Sequence, residues 1–389
     1  MTLLMNRRKF LKHCGCCAVV CASSLMLPDV LLRSSSYGAA LKKGSIGKKL
    51  SPYFVPLKDQ AIQCTLCPHE CEVEAGERGI CGVRENTGGK YYSLVYGNPC
   101  AVNIDPIEKK PFYHVLPTTR SFSIATAGCN LDCKFCQNWE ISQARPEETY
   151  NYTLSSEQIV SSAMQYECAS IASTYVEPTI FIEYMIDIGK LTRHYPLLKV
   201  MHSNGFINET PLDDLCKVLD AACIDLKGFT EDYYRDMTEG HLQPVLHTIK
   251  RLRKNGVHTE LVNLVVPGKN DQMDQVKAMC QWIYKELGPD VPLHFSRFYP
   301  QYKLKSVQPT SIAVLEKVHE VAIKEGLNYV YLGNIPEHPS AHTYCPKCKK
   351  MLIKRVGYTT TVEGLKEGRC QYCGQPIPGI WKQRKPAAL

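Results

Sequence analysis

From Ser121 onward the hydrophobic pattern keeps changing period. Short runs rich in β-branched and aromatic residues alternate with longer stretches whose apolar residues recur every three to four positions. The short runs predict strands over 122–126, 170–175, 199–204, 222–226, 259–266, 292–296 and 329–332, and the longer ones predict helices such as 155–166, 243–255, 271–286 and 311–324. Alternation of this kind is the pattern of βα units around a parallel sheet. Six or seven units are too few for a closed eight-stranded barrel and enough for an open one. The expected fold is therefore α/β, a partial (β/α)6 TIM-like barrel over 119–340. In such barrels the chemistry sits at the C-terminal ends of the strands. Polar residues gather at those ends: Glu177, Ser203 with Asn204, Asp225 with Lys227, Ser296 with Arg297, and Asn334. Five sets in register predict a common cavity.

The pattern before the barrel is different. Residues 1–40 open with Asn6-Arg7-Arg8-Lys9-Phe10-Leu11-Lys12, continue in an apolar run to Leu27 and end in Gly38-Ala39-Ala40, which resembles a twin-arginine export signal. The run of about 14 residues would span roughly 21 Å as a helix, short of the roughly 30 Å hydrocarbon core, which favours a cleavable leader over an anchor. Export to the periplasm or to the membrane surface follows if the leader works; otherwise the chain is cytoplasmic. Residues 41–60 read as a solvated linker, 61–118 as a cysteine-rich metal-binding segment, and 341–389 as a small C-terminal module.

Composition narrows the class. The chain has 389 residues, 44% hydrophobic and 22% charged, and a net charge of +8 whose Lys and Arg are scattered rather than striped, so no nucleic-acid partner is expected. Cysteine is the anomaly, with 20 residues, most of them in tight clusters. Clusters suggest metal, whereas even spread suggests disulfides. Cys100, Cys168, Cys216, Cys223 and Cys280 stand alone and read as small core residues.

Three clusters carry candidate chemistry. On the first βα loop, Gly128-Cys129-Asn130-Leu131-Asp132-Cys133-Lys134-Phe135-Cys136 presents three thiolates. Three can hold three irons of a [4Fe–4S] cube and leave the fourth open to a ligand. Near the C-terminus, Cys345-Pro346-Lys347-Cys348 and, after 21 intervening residues, Cys370-Gln371-Tyr372-Cys373 have the spacing of a zinc ribbon. Cys64, Cys67, Cys71 and Cys81 lie within eighteen residues and argue for one closed site, zinc or iron–sulfur, with His69 as a substitute ligand.

The 129–136 loop, with its aromatic before the last cysteine, resembles the signature of the radical S-adenosylmethionine (SAM) superfamily. Cys136-Gln137-Asn138-Trp139-Glu140, Glu177-Pro178-Thr179, Ser203-Asn204-Gly205, Asp225-Leu226-Lys227 and Phe295-Ser296-Arg297-Phe298 look more narrowly like the radical component of the AmmeMemoRadiSam system, a group similar to the activating enzymes of pyruvate formate-lyase. The resemblance implies that the cluster at Cys129, Cys133 and Cys136 cleaves SAM reductively to a 5′-deoxyadenosyl radical, which abstracts hydrogen from a substrate not identified by sequence. It implies a ferredoxin- or flavodoxin-like one-electron reductant and, as partners, Memo-like and AMMECR-like proteins.

It also implies cofactor contacts. A Gly-Gly-Glu stretch is expected after the second strand; here Thr174-Tyr175-Val176-Glu177 keeps the glutamate, to meet the SAM ammonium, and lacks the glycines. Asp225 and Lys227 should meet the methionine part, Ser203 and Asn204 should supply neutral hydrogen bonds, and Arg297, or His294 three residues earlier, should meet the carboxylate. Two other functions stay open: an activating enzyme whose substrate is a glycine of a partner protein, and a non-catalytic iron–sulfur and zinc electron-transfer protein with closed clusters.

Overall fold

The computed structural model describes residues 41–386, so the expected leader at 1–40 lies outside them. The central sheet has eight strands: β1 (Ala101–Pro106), β2 (Arg120–Ala125), β3 (Ser170–Ser173), β4 (Leu198–Ser203), β5 (Ala221–Asp225), β6 (His258–Val265), β7 (Leu293–Arg297) and β8 (Val330–Gly333). They lie in sequential order, β2 to β8 parallel and β1 antiparallel to β2, with β1 and β8 as the two edges. Parallel neighbours need crossovers. These are supplied by α1 (Ser156–Gln165), α2 (Ile182–Thr192), α3 (Glu209–Cys216), α4 (Glu231–Thr238), α5 (Leu242–Lys254), α6 (Met273–Leu287) and α7 (Ile312–Lys324).

The seven predicted strands appear within a residue or two of their expected bounds. The helix starts are locally encoded: Ser155 and Gln158 form a capping box at α1, and Thr230 and Ser311 cap α4 and α7 by accepting from Tyr233 N and Val314 N. β1 was not expected. Its Asn103, Asp105 and Pro106 break the apolar signal, and it forms because its full length pairs with β2.

The sheet has a structural end and an open end. After β1 the chain packs Ile107, Phe112, Val115 and Leu116 against Ala172, Leu198, Val200, Cys223 and Val262 of the strands, an apolar core. Beside it Glu260, fully buried near the start of β6, accepts from Tyr113 N (3.0 Å) and His114 N (2.9 Å) and pairs with His258 (3.2 Å) and His294 (2.8 Å). Burial would raise this carboxyl, but the two histidines hold it well below the usual range.

The C-terminal module docks on the same end. Its strands Thr343–Tyr344, Met351–Val356 and Thr359–Val362 form an antiparallel sheet. The buried Arg355 donates to Thr343 Oγ1 (2.8 Å), Ala341 O (3.1 Å) and Tyr113 O (2.8 Å), with its guanidinium 4.0 Å from the centre of the Tyr113 ring. At the other side of the chain, the N-terminal segment is pinned by Arg84, which forks onto Glu183 of α2 at 2.9 and 2.5 Å and also donates to Ser51 Oγ and Ile180 O. No helix among the described residues is long and apolar enough to cross a membrane.

One buried cation stands apart from these pairs. Lys199 on β4 donates to Ser173 Oγ at 2.7 Å and to two backbone carbonyls at 3.4 Å, and burial brings its pKa down to about 7. An unfolded lysine titrates near about 10.4. Between those values the unfolded chain binds a proton that the folded chain does not, so stability gains as pH rises through that window. Lys199→Met should therefore raise the denaturant midpoint at pH 7 and lose most of that advantage by pH 10. An equal difference at both pH values would contradict the assignment.

Candidate cofactor and metal sites

At the open end, the loop after β2 begins on Gly128, whose φ is +90° and whose added Cβ would stand 2.6 Å from Val83 Cγ1 and 2.7 Å from Cys81 O. Only glycine fits there. The loop is then held by backbone bonds from Asp132 N to Thr238 O (3.1 Å) and from Lys134 N to Met237 O (3.0 Å) at the end of α4, and by an Asp132–Lys303 ion pair. Cys136 Sγ lies 3.3 Å from Ser142 Oγ. Burial pushes the Cys133 thiol up to about 12, opposed by the nearby Lys227 ammonium, and pushes Cys129 well above its ordinary value with Cys133 and Glu177 adding to the rise. A thiol this reluctant to ionise in the bare protein becomes a ligand when a metal replaces its proton.

Two polar groups meet this loop. In the first, Glu177 is buried and its carboxylate takes four hydrogen bonds: Oε1 accepts from Thr179 N (2.9 Å), Thr179 Oγ1 (2.6 Å) and Ser203 Oγ (2.8 Å), and Oε2 from Asn204 N (2.7 Å). Asn204 Nδ2 in turn donates to Asn130 Oδ1 (2.8 Å), inside the cysteine loop. Glu177 thus ties strand ends together, with Oε1 fully occupied and one lone pair of Oε2 left over.

In the second group, Asp225 Oδ2 accepts from Lys227 Nζ (2.8 Å), and Asp225 Oδ1 is 2.7 Å from His202 Nε2. Burial would raise Asp225, yet Lys227 and His202 hold it well below the usual range. All three side chains are only partly buried, so the pair faces accessible space. Lys227 Nζ also lies 5.7 Å from the Phe135 ring centre.

The structure does not bring the two carboxylate candidates to these groups. His294 is buried on Glu260 at the structural end, two residues down the strand from Ser296. Arg297 is turned to Thr310 O (2.7 Å) and Tyr299 OH (3.1 Å). His202, Asn130 and Tyr175 were missed. Tyr175 occupies the place of the expected glycines and takes the left-handed conformation they would favour, φ +68°. Its hydroxyl donates to Asp105, its ring lies 4.1 Å from Lys110 Nζ, and its carbonyl accepts from Asn138 Nδ2 (2.6 Å).

The other two cysteine sets differ in geometry. The sulfurs of Cys345, Cys348, Cys370 and Cys373 all lie within 4.8 Å of one another, with Cys345–Cys373 and Cys348–Cys370 each at 3.6 Å. A tetrahedron with metal–sulfur bonds of about 2.3 Å requires about 3.8 Å between sulfurs. These four fit one ion. Cys64, Cys67, Cys71 and Cys81 together line one enclosed cavity, which also touches Asn130 of the open-end loop. His69 does not join them through Nε2, which is taken by Asn130 O at 2.7 Å.

Residues 123–283 match the Radical SAM superfamily. The chain is 43% identical over 327 residues to the uncharacterized protein MJ0808 of Methanocaldococcus jannaschii, covering 84% of this chain and 97% of that one. A second uncharacterized protein of the same organism, MJ0674, is 24% identical over 282 residues, covering 69% and 76%. Among solved structures, a radical SAM methyltransferase from Sphaerobacter thermophilus superposes with a TM-score of 0.46 at 12% identity, covering 79% of this chain and 82% of that one.

Glu177→Ala would leave Thr179 N, Ser203 Oγ and Asn204 N without their acceptor. A loss of about 3 kcal/mol in unfolding free energy is expected, read as a lowered denaturant midpoint. A shift within about 0.5 kcal/mol, the size of an ordinary surface change, would remove Glu177 from this structural task.

Proposed function

The chain belongs to the radical SAM superfamily and is a radical SAM enzyme, and we propose that Cys129, Cys133 and Cys136 hold its [4Fe–4S] cluster while Asp225 and Lys227 receive the methionine end of SAM. When reduced by one electron and loaded with SAM, the cluster supplies a 5′-deoxyadenosyl radical that takes a hydrogen atom from the substrate. The observation that carries the reading is the placement of a partly open Asp225–Lys227 pair beside Cys133, the middle cysteine of the loop.

Each residue then has a task. Lys227 offers an ammonium to a carboxylate and Asp225 a carboxylate to an ammonium, so the pair is complementary to an amino-acid head group. His202 keeps Asp225 aimed and ionised. Glu177 acts through others: it orients Ser203 and Asn204, and through Asn130 it fixes the loop. Arg297 and His294 have no place in this reading. The open sheet serves as a partial (β/α)6 barrel around the cofactor. Cys345, Cys348, Cys370 and Cys373 hold a structural zinc in a ribbon, supported by sulfur spacings that suit one tetrahedral ion.

Within the superfamily we assign the chain to the radical component of the AmmeMemoRadiSam system, with Memo-like and AMMECR-like partners, on its match to that group's motifs from Cys64 to Trp381. Radical SAM enzymes need a one-electron reductant. The leader, if it functions, exports the folded and metal-loaded chain, and fractionation of cells carrying Arg7→Lys with Arg8→Lys tests that route.

The decisive experiment is anaerobic reconstitution, reduction, and assay of 5′-deoxyadenosine. Product is expected from the wild type and none above background from Cys129→Ala; equal product from both would sink the proposal. Lys227→Met should raise the dissociation constant for SAM by about tenfold or more, the size of a lost charge-assisted hydrogen bond. Cys345→Ser should lower the zinc content by about one ion per chain, read by elemental analysis.

A further inference from the structure

The N-terminal cysteines pose a geometric question that spacing in the sequence left open. Two thiolates bound to one ion at about 2.3 Å can stand no farther apart than about 4.6 Å, even on opposite sides of it. Among the described residues, the C-terminal four form the one set of three or more candidate ligands whose atoms all lie within 4.8 Å of one another. No three of Cys64, Cys67, Cys71 and Cys81 do so, although all four line the same cavity. As they stand, no single zinc ion can hold three of them. A polynuclear cluster has no such limit, because each thiolate takes its own iron. The loop cysteines Cys129, Cys133 and Cys136 share this wider spacing.

The surroundings agree. The cavity is walled by Leu66, Ile80, Ile180 and Tyr91, with the buried Arg84 guanidinium beside them. Cys64 and Cys67 are buried, and Cys71 and Cys81 partly so. The site abuts the open-end loop by backbone: Gly128 packs on Cys81 O, and His69 bonds Asn130 O. A cleft of about 510 Å³ runs past both sets, with Cys81 and Cys129 in its lining together with Arg78, Glu85, Gln143 and Arg145.

We propose that Cys64, Cys67, Cys71 and Cys81 hold a second iron–sulfur cluster, a cube of four irons closed by four thiolates, packed against the loop that carries Cys129, Cys133 and Cys136. With every iron ligated by the protein it binds no substrate. Its chemistry is one-electron exchange: an electron from an external low-potential iron–sulfur or flavin donor reduces it, transfer of that electron to a one-electron acceptor, the cluster on the neighbouring loop, restores it, and no bond is made or broken. The assignment of this site does not depend on the function of the neighbouring loop.

The test is metal counting on the full chain, reconstituted anaerobically with iron and sulfide and then washed with chelator. The wild type should carry about eight irons, about eight sulfides and about one zinc. The triple variant Cys129→Ala/Cys133→Ala/Cys136→Ala should keep about four irons and an electron paramagnetic resonance signal on reduction, and Cys64→Ala/Cys67→Ala should likewise keep about four. A wild type with about four irons and about two zincs overturns the proposal, as does a folded triple variant that retains no iron. If the triple variant keeps all eight irons, it is the radical site that fails.

Discussion

The open end of the sheet depends on one buried carboxylate. Glu177 collects four donors from two different elements, and those bonds set where the chain leaves β3 and β4. From Asn204 the chain of hydrogen bonds continues to Asn130, whose own amide donates to Phe206 O at 2.8 Å. The cysteine loop is thus anchored to strand ends as well as to the end of α4. A buried acid is costly unless it is hydrogen-bonded, and here two of the four bonds, from Thr179 N and Asn204 N, also fix a piece of backbone. This explains how a loop of eight residues bearing three thiols can hold a defined shape.

The two ends of the sheet use buried charge in opposite ways. At the structural end Glu260, His258, His294, Arg355 and two tyrosines are closed on one another, and burial brings His114 down to about 3, so it stays neutral while pairing with Tyr331 OH at 2.7 Å. At the open end Asp225, Lys227 and His202 pair as tightly, yet remain partly accessible. The difference lies in access rather than in pairing strength, and access is what a cofactor head group requires.

The parallel sheet was legible in the sequence because each strand is buried on both faces and reads as an apolar run bounded by polar turns. The family was legible in the cysteine loop, because its spacing resembles the superfamily's signature and residues 123–283 match that superfamily. What escaped has physical reasons. β1 mixes Asn103 and Asp105 with its apolar residues and takes its stability from pairing with β2. The strands of the N-terminal segment run from two to four residues, below the length at which periodicity shows. His294 and Arg297 are expected at the carboxylate through resemblance to the activating enzymes, but an aligned position does not give direction: His294 is captured by Glu260 and Arg297 by Thr310 O. His202 gave no signal beyond preceding Ser203, and its importance appears only when β5 places Asp225 beside it. Tyr175 was read as the lack of a glycine, whereas the fold accepts its positive φ by binding its hydroxyl, ring and carbonyl at once.

Sulfur spacing sorts the thiolate sites more sharply than residue type does. All eleven clustered cysteines offer the same ligand atom, so ligand softness alone cannot decide between zinc and iron–sulfur. At Cys345–Cys348 and Cys370–Cys373 the backbone of two facing turns brings four sulfurs to within the span of one ion. Where the sulfurs surround a cavity without converging, the spacing suits several metals better than one. That the convergent set belongs to the module docked at the structural end, while the loop cysteines and the N-terminal four pack against each other at the open end, ties the metal each site suits to the work its surroundings allow.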